Sequence, residues 1–128
     1  MSVRVGIDLV TVADVADSLG RFGDRYLHRV YTASEIRDSS RSGLIDPARL
    51  AARFAAKEAT VKVLRDDVPW TDIEVRRVPG GWLEVSLHRA AADVAARERV
   101  GSVEVSVSHE RDYAVAVASA ETGRGRPA

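Results

Sequence analysis

The run Arg49-Leu50-Ala51-Ala52-Arg53-Phe54-Ala55-Ala56-Lys57-Glu58-Ala59-Thr60-Val61-Lys62-Val63-Leu64 limits what this chain can fold into more than any other. It is dense in Ala, Leu, Arg, Lys and Glu and holds neither Gly nor Pro, which predicts a long helix. Pro47 stands just ahead, where its missing N–H costs nothing at a first helical position. At about 100° per residue, Leu50, Phe54 and Val61 fall within a narrow arc, with Ala51 and Ala55 beside them. Glu58 lands inside that arc and Lys62 just past its edge, whereas Arg53 and Lys57 flank the other side. Ionised carboxylates are rarely buried without a cation or several donors. Glu58 therefore requires a partner.

A chain of 128 residues is long enough to bury most of its apolar surface in one domain. That domain is expected over residues 1–120. Residues 121–128, with two Gly, one Pro and no large apolar side chain, read as a flexible tail. Nineteen basic and nineteen acidic residues cancel, so net charge gives no reason to expect nucleic acid or an anionic membrane as partner. The absence of cysteine removes disulfides and Cys-ligated zinc. No apolar run approaches the ~20 residues of a membrane span. No basic segment followed by a hydrophobic one opens the chain, and a cytoplasmic protein is expected.

Alternation over Val3 to Val10 predicts a strand, with Val3, Val5, Ile7 and Leu9 on one face and Arg4, Gly6, Asp8 and Val10 on the other. Thr11 is placed to cap a helix running to about Leu19, closed by Gly20. A second short helix is expected over Arg21 to Tyr31. The sequence Thr32-Ala33-Ser34-Glu35 fits a capping box that opens a third. Ser39 to Pro47 reads as a loop, and Arg65 to Thr71 as a polar connector after the long helix. Asp72 to Val78 and Trp82 to His88 predict a hairpin through Pro79-Gly80-Gly81. An Ala-rich helix over Arg89 to Arg99 follows, then a hairpin of Val103 to His109 with Tyr113 to Ala118. The order predicts an α+β domain with a mostly antiparallel sheet packed against the long helix.

Three polar residues occupy places where apolar ones would be ordinary: Asp8, Glu58 and His109. Two carboxylates converging from different elements make a hard-oxygen site suited to Mg²⁺, with waters and substrate phosphates completing the shell. Lys62, four residues after Glu58, either supports it across one turn or places a point charge on a phosphate. Plainer readings stand beside these. Asp8 also suits a strand end bonded to backbone. Lys57, Glu58 and Lys62 also suit a solvated charged face, and His109 also suits the start of a turn.

Gly6-Ile7-Asp8-Leu9-Val10, Arg53-Phe54-Ala55-Ala56-Lys57-Glu58-Ala59 with Lys62, and Ser106-Val107-Ser108-His109 before Tyr113-Ala114 resemble the signatures of holo-acyl-carrier-protein synthases. These form the small, single-domain branch of the 4′-phosphopantetheinyl transferases. The resemblance spans nearly the whole chain, including Trp70-Thr71-Asp72-Ile73-Glu74-Val75. It implies the transferase fold and a Mg²⁺-dependent transfer of 4′-phosphopantetheine from coenzyme A to a serine of an apo acyl-carrier protein, releasing adenosine 3′,5′-bisphosphate. The carrier would serve fatty-acid, other lipid or polyketide biosynthesis, or peptide synthesis. Asp8 and Glu58 would ligate the metal and, with Lys62, form the catalytic set. Glu58 or a water on the ion would accept the serine proton. Lys62 and His109 would contact the phosphates or the adenosine end of coenzyme A, and Arg53 would help line that pocket. The resemblance also implies a compact homotrimer with active sites between subunits.

Two places depart from that pattern. A Gly-Thr-Gly turn usually follows the central helix, where this chain has Arg65-Asp66-Asp67; Gly permits positive φ and adds no charge near phosphates. The first helix often offers an arginine to the acidic helix of the carrier, where this chain has Asp14 with Asp17 one turn on; either Arg21, Arg25 or Arg29 does the docking, or the carrier is not the usual strongly acidic one. These departures motivate an alternative, a catalytically impaired carrier-protein or coenzyme A binding module of the same fold. A third reading is a structural domain in which Glu58 simply pairs with Lys62.

Overall fold

The computed structural model describes residues 2–123. Its elements are β1 (Ser2–Thr11), α1 (Val12–Phe22), α2 (Asp24–Val30), α3 (Ala33–Asp38), β2 (Ser40–Arg41), β3 (Leu44–Ile45), α4 (Pro47–Leu64), a 3₁₀ turn (Trp70–Asp72), β4 (Ile73–Arg77), β5 (Leu83–Leu87), α5 (Arg89–Arg97), β6 (Glu104–His109) and β7 (Tyr113–Thr122). Every strand pairing is antiparallel: a three-stranded sheet in the order β1-β7-β6, and the hairpins β2-β3 and β4-β5. The expected α+β architecture, with antiparallel strands packed against the long helix, is thus the one observed. Among the described residues no helix is long and apolar enough to cross a membrane.

Local signals act where they stand. Asp46 accepts from the Ala48 N–H, and Pro47 occupies the first turn of α4. Thr32 and Glu35 close a reciprocal capping box at α3. Some boundaries differ from expectation. The first helix runs through Gly20 and stops at Gly23, whose φ of 55° supplies the left-handed residue that ends it. The loop after Asp38 folds into the short β2-β3 hairpin. Glu121 and Thr122, placed by sequence in the tail, continue β7 opposite Val3 and Ser2; residues 124–128 of that tail lie outside the described residues.

The long helix is buried on more sides than its apolar arc suggested. Ala51, Ala52, Ala55, Ala56 and Ala59 are buried, as are Ala114, Ala116, Ala118 and Ala120 along β7. Small side chains on both surfaces let helix and sheet approach closely. Contact is tightest at Gly6, where an added Cβ would overlap the Ala59 carbonyl oxygen. Phe54 and Val61, expected at the centre of the buried stripe, are only half-buried, whereas Arg53 and Lys57 are buried. The solvated-face reading of Lys57 is therefore wrong. The strand β1 turns Gly6, Asp8 and Val10 toward α4 and leaves Val3, Val5, Ile7 and Leu9 exposed on the outer face.

Candidate active site

The three residues singled out on β1 and α4 meet. Asp8 stands opposite Ala116 on the helix-facing side of β1, and Glu58 comes from the middle of α4. Both line one cleft of about 400 Å³, whose walls include Thr11, Asp14, Tyr26 and Phe54. Lys62, one turn after Glu58, donates from Nζ to the Ile7 carbonyl at 2.5 Å and lies 3.5 Å from Asp8 Oδ1. Among the described residues no ion pair closes between Glu58 and Lys62, which removes the reading of Glu58 as a simple i,i+4 partner. Lys62 instead ties the helix to the strand at the cleft edge.

Burial and then the charge of Asp8 hold the Glu58 carboxyl above its ordinary range; Lys62 opposes this and Asp67 adds to it. Two carboxylates that repel across a cleft are a configuration a cation relieves. No third Asp, Glu, His or Cys joins them as a ligand cluster among the described residues. Two hard oxygen donors with the remaining positions open suit Mg²⁺, which keeps waters and takes substrate phosphates as ligands. The residues present therefore fit such an ion.

The other expected contacts lie elsewhere on the chain. His109 ends β6 opposite Ala114, which pairs on its other side with Val10. It is thus two strands, about 10 Å, from β1. It lines a separate hollow of about 310 Å³ with Arg111 and Tyr113. Arg53 is only 2% exposed, and its Nε and one terminal nitrogen have no hydrogen-bond partner. Burial lowers its pKa, opposed first by Asp38. Within one chain, Asp8, Glu58 and Lys62 form one constellation, and Arg53 and His109 stand outside it.

The Arg65-Asp66-Asp67 departure is absorbed by the fold. Arg65 takes the left-handed conformation, φ 61° and ψ 32°, and closes α4 with its N–H on the Val61 carbonyl. Asp66 turns away to Arg97 of α5 at 2.7 Å. The turn keeps the shape a glycine would give it, and one of its two negative charges is paired.

Sequence reasoning missed a buried pair. Lys57 Nζ lies 2.8 Å from Glu35 Oε1, and both side chains are fully enclosed. From the sequence, Glu35 reads only as a capping residue. The signal available was the seven-residue spacing of Leu50, Lys57 and Leu64, which aligns Lys57 with two core leucines.

Residues 4–118 match the model of the 4′-phosphopantetheinyl transferase superfamily. A holo-acyl-carrier-protein synthase of Koribacter versatilis is 46% identical over 121 residues, covering 91% of this chain and 95% of its own. That of Desulforudis audaxviator is 42% identical over 123 residues, with 94% and 93% covered. Among solved structures, the acyl carrier protein synthase of Mycobacterium tuberculosis superposes with a TM-score of 0.74 at 36% identity, covering 94% of this chain and 97% of its own. The synthase–coenzyme A complex of Chronobacterium ammoniagenes does so with 0.80 at 31%, covering 97% and 100%.

Proposed function

The chain belongs to the 4′-phosphopantetheinyl transferase superfamily as a holo-acyl-carrier-protein synthase, and from that premise we propose how its cleft performs the reaction. The enzyme transfers 4′-phosphopantetheine from coenzyme A to a serine hydroxyl of an apo acyl-carrier protein and releases adenosine 3′,5′-bisphosphate. The serine oxygen gives up its proton to Glu58 or to water and forms the new bond to phosphorus as the bond to the bisphosphate breaks. The observation that carries this reading is the pair Asp8 and Glu58 lining one cleft with Lys62 at its edge.

Asp8 and Glu58 hold Mg²⁺, and Lys62 sets its ammonium beside the phosphates. When bound, the ion offsets charge on the pyrophosphate and on the leaving group. The chain's own work is positional: α4 presents Glu58, β1 presents Asp8, and the cleft walls Tyr26 and Phe54 limit water. His109 serves the phosphate or adenosine end of coenzyme A, whereas Arg53, only 2% exposed, presents no face to it.

The assembly we propose is a homotrimer with sites between subunits. Its support is the outer face of β1, where Ile7 and Leu9 remain 58% and 63% exposed beside Val3, Val5 and Val117. So continuous an apolar face calls for a cover. The distance of His109 from Asp8 in one chain agrees with its serving a neighbouring subunit's site. For the carrier, Arg25 and Arg29 flank a hollow with Phe22 and Tyr26 and offer guanidinium groups to an acidic helix. Arg21 is drawn toward Asp17 at 3.8 Å, and Asp14 faces the cleft. The cytoplasm is the proposed compartment.

Incubation with coenzyme A, Mg²⁺ and a panel of apo carriers from fatty-acid, polyketide and peptide synthesis tests the activity and the partner together. A phosphopantetheine mass gain on one carrier is expected; folded enzyme that modifies none overturns the reading.

A further inference from the structure

We infer that the enclosed Lys57–Glu35 pair is a positioning device for the transfer, fixing the rotation of α4 that delivers Glu58 to the cleft. This rests on Glu58 being a site ligand. Lys57 Nζ donates to the Trp70 carbonyl at 2.9 Å and the Ile73 carbonyl of β4 at 2.5 Å, and stands in an ion pair 2.8 Å from Glu35 Oε1 of α3. Two directed hydrogen bonds and one ion pair thus hold the ammonium. Glu35 is held likewise, with Oε1 also accepting the Thr32 N–H and Oε2 the Val75 N–H, each at 2.7 Å. Four parts of the chain converge on one ion pair with no exposed atom surface to speak of, both side chains being 0% accessible.

Enclosing two charges is no better for stability than packing apolar side chains of the same volume. What the pair adds over leucine is direction. An apolar side chain at position 57 tolerates small rotations of the helix, whereas an ammonium held by two carbonyls and a carboxylate does not. Glu58 is the next residue and projects about 100° further round the helix. Beyond Glu58, Ala59 is pressed on Gly6 of β1. The helix is therefore gripped on two flanks, and the arc between them carries Glu58 and Lys62 to the cleft. Lys57 touches neither cleft nor substrate; it acts through its neighbour.

The variant Lys57→Met leaves Glu35 charged in the interior without its cation and risks unfolding. The decisive protein is therefore Lys57→Met/Glu35→Gln, which removes both charges, with Glu35→Gln alone as the conservative control that keeps an acceptor for the lysine. Thermal unfolding reports the fold, steady-state kinetics the separation of kcat from KM, and calorimetry the Mg²⁺ requirement of coenzyme A binding. The double variant should fold, keep the KM for carrier, and lose at least about tenfold in kcat. Half-maximal coenzyme A binding should need about tenfold more Mg²⁺. Glu35→Gln should recover most of both. A folded double variant with wild-type kcat and wild-type Mg²⁺ requirement overturns the positioning role. Wild-type coenzyme A binding that is indifferent to Mg²⁺ overturns the site reading beneath it, whatever the variants do.

Discussion

Gly6 of β1 lies against the Ala59 carbonyl of α4 with no room for a β-carbon between them. Asp8 is two residues along the same face of the strand, and Glu58 immediately precedes Ala59. The contact that brings helix and sheet together is therefore the one that sets the spacing of the two carboxylates. Gly6→Ala should force α4 away from β1 and cost about 1–3 kcal/mol, the usual range for overpacking. Because the displacement falls on the site, Mg²⁺-dependent coenzyme A binding should weaken as well. Urea unfolding and calorimetry on the same variant measure both. Unchanged stability would mean the strand can shift without consequence.

Glu58 has a second, opposite signature. Burial, followed by the charge of Asp8, raises its pKa above the ordinary 4.5. A carboxyl raised in the native state keeps its proton longer there than in the unfolded chain. Its ionisation therefore weakens the fold as pH rises from the unfolded value through the higher native one. Glu58→Gln removes that penalty, so the metal-free variant should be at least as stable as wild type at neutral pH, with the advantage vanishing in acid. Transfer should fall by about two orders of magnitude or more. Added Mg²⁺ should raise the melting temperature of wild type and not of the variant. A variant that is less stable than wild type without metal at pH 7 contradicts the repulsion.

Arg65 holds a left-handed conformation at φ 61° to close α4. A side chain there costs about 1–2 kcal/mol, partly regained because glycine loses more entropy on folding. Arg65→Gly should thus stabilise by up to about 1 kcal/mol. Activity should persist, because Asp66 keeps its bond to Arg97. Thermal melts and the carrier assay check the two halves, and a loss of stability would show that the arginine side chain itself contributes.

Acid should attack the fold first through Glu74. Burial alone would raise its pKa, but hydrogen bonds from Ser34, Thr32 and His88 outweigh burial and bring it down to about 2. The lowered value means that Glu74 supports the fold fully above its ordinary 4.5 and stops doing so as pH falls toward 2. Glu74→Gln should be less stable than wild type at neutral pH and lose less between pH 4.5 and 2. Unfolding midpoints across that window decide it. Parallel curves for the two proteins would place the acid sensitivity elsewhere.

That Asp8 and Glu58 would share one cleft was legible in the sequence because each interrupts an apolar setting, and an interruption can be seen one element at a time. The capping box at Thr32 and the proline opening α4 were legible for the same reason: their physics is local. What stayed hidden depends on a second element. Lys57 looks like a surface charge until α3 supplies Glu35 and β4 supplies a carbonyl. Gly20 looks like a helix stop until Gly23 takes the left-handed turn instead. Phe54 and Val61 look like core until alanines on β7 prove the better fit for the opposite side of α4. Alanine on alanine gains little area per residue, so hydrophobicity alone points to the wrong flank.

The outer face of the main sheet gives the last test. Val3, Val5, Ile7 and Leu9 lie in a row along β1 with more than half of each exposed, and Val115 and Val117 stand opposite Leu9 and Ile7 on β7. Self-association that covers this row would bury it against its own copies. Val5→Glu leaves the helix-facing side of the strand untouched, so the single chain should keep its fold, as judged by circular dichroism. A charge introduced there has no partner once desolvated and opposes association strongly. Light scattering should give a trimer for wild type and a monomer for the variant, and carrier modification should fall with the trimer because His109 and Asp8 of one chain are set apart. A wild-type monomer that is fully active, or a Val5→Glu trimer, would leave the exposed row to some other partner and require each chain to complete its site alone.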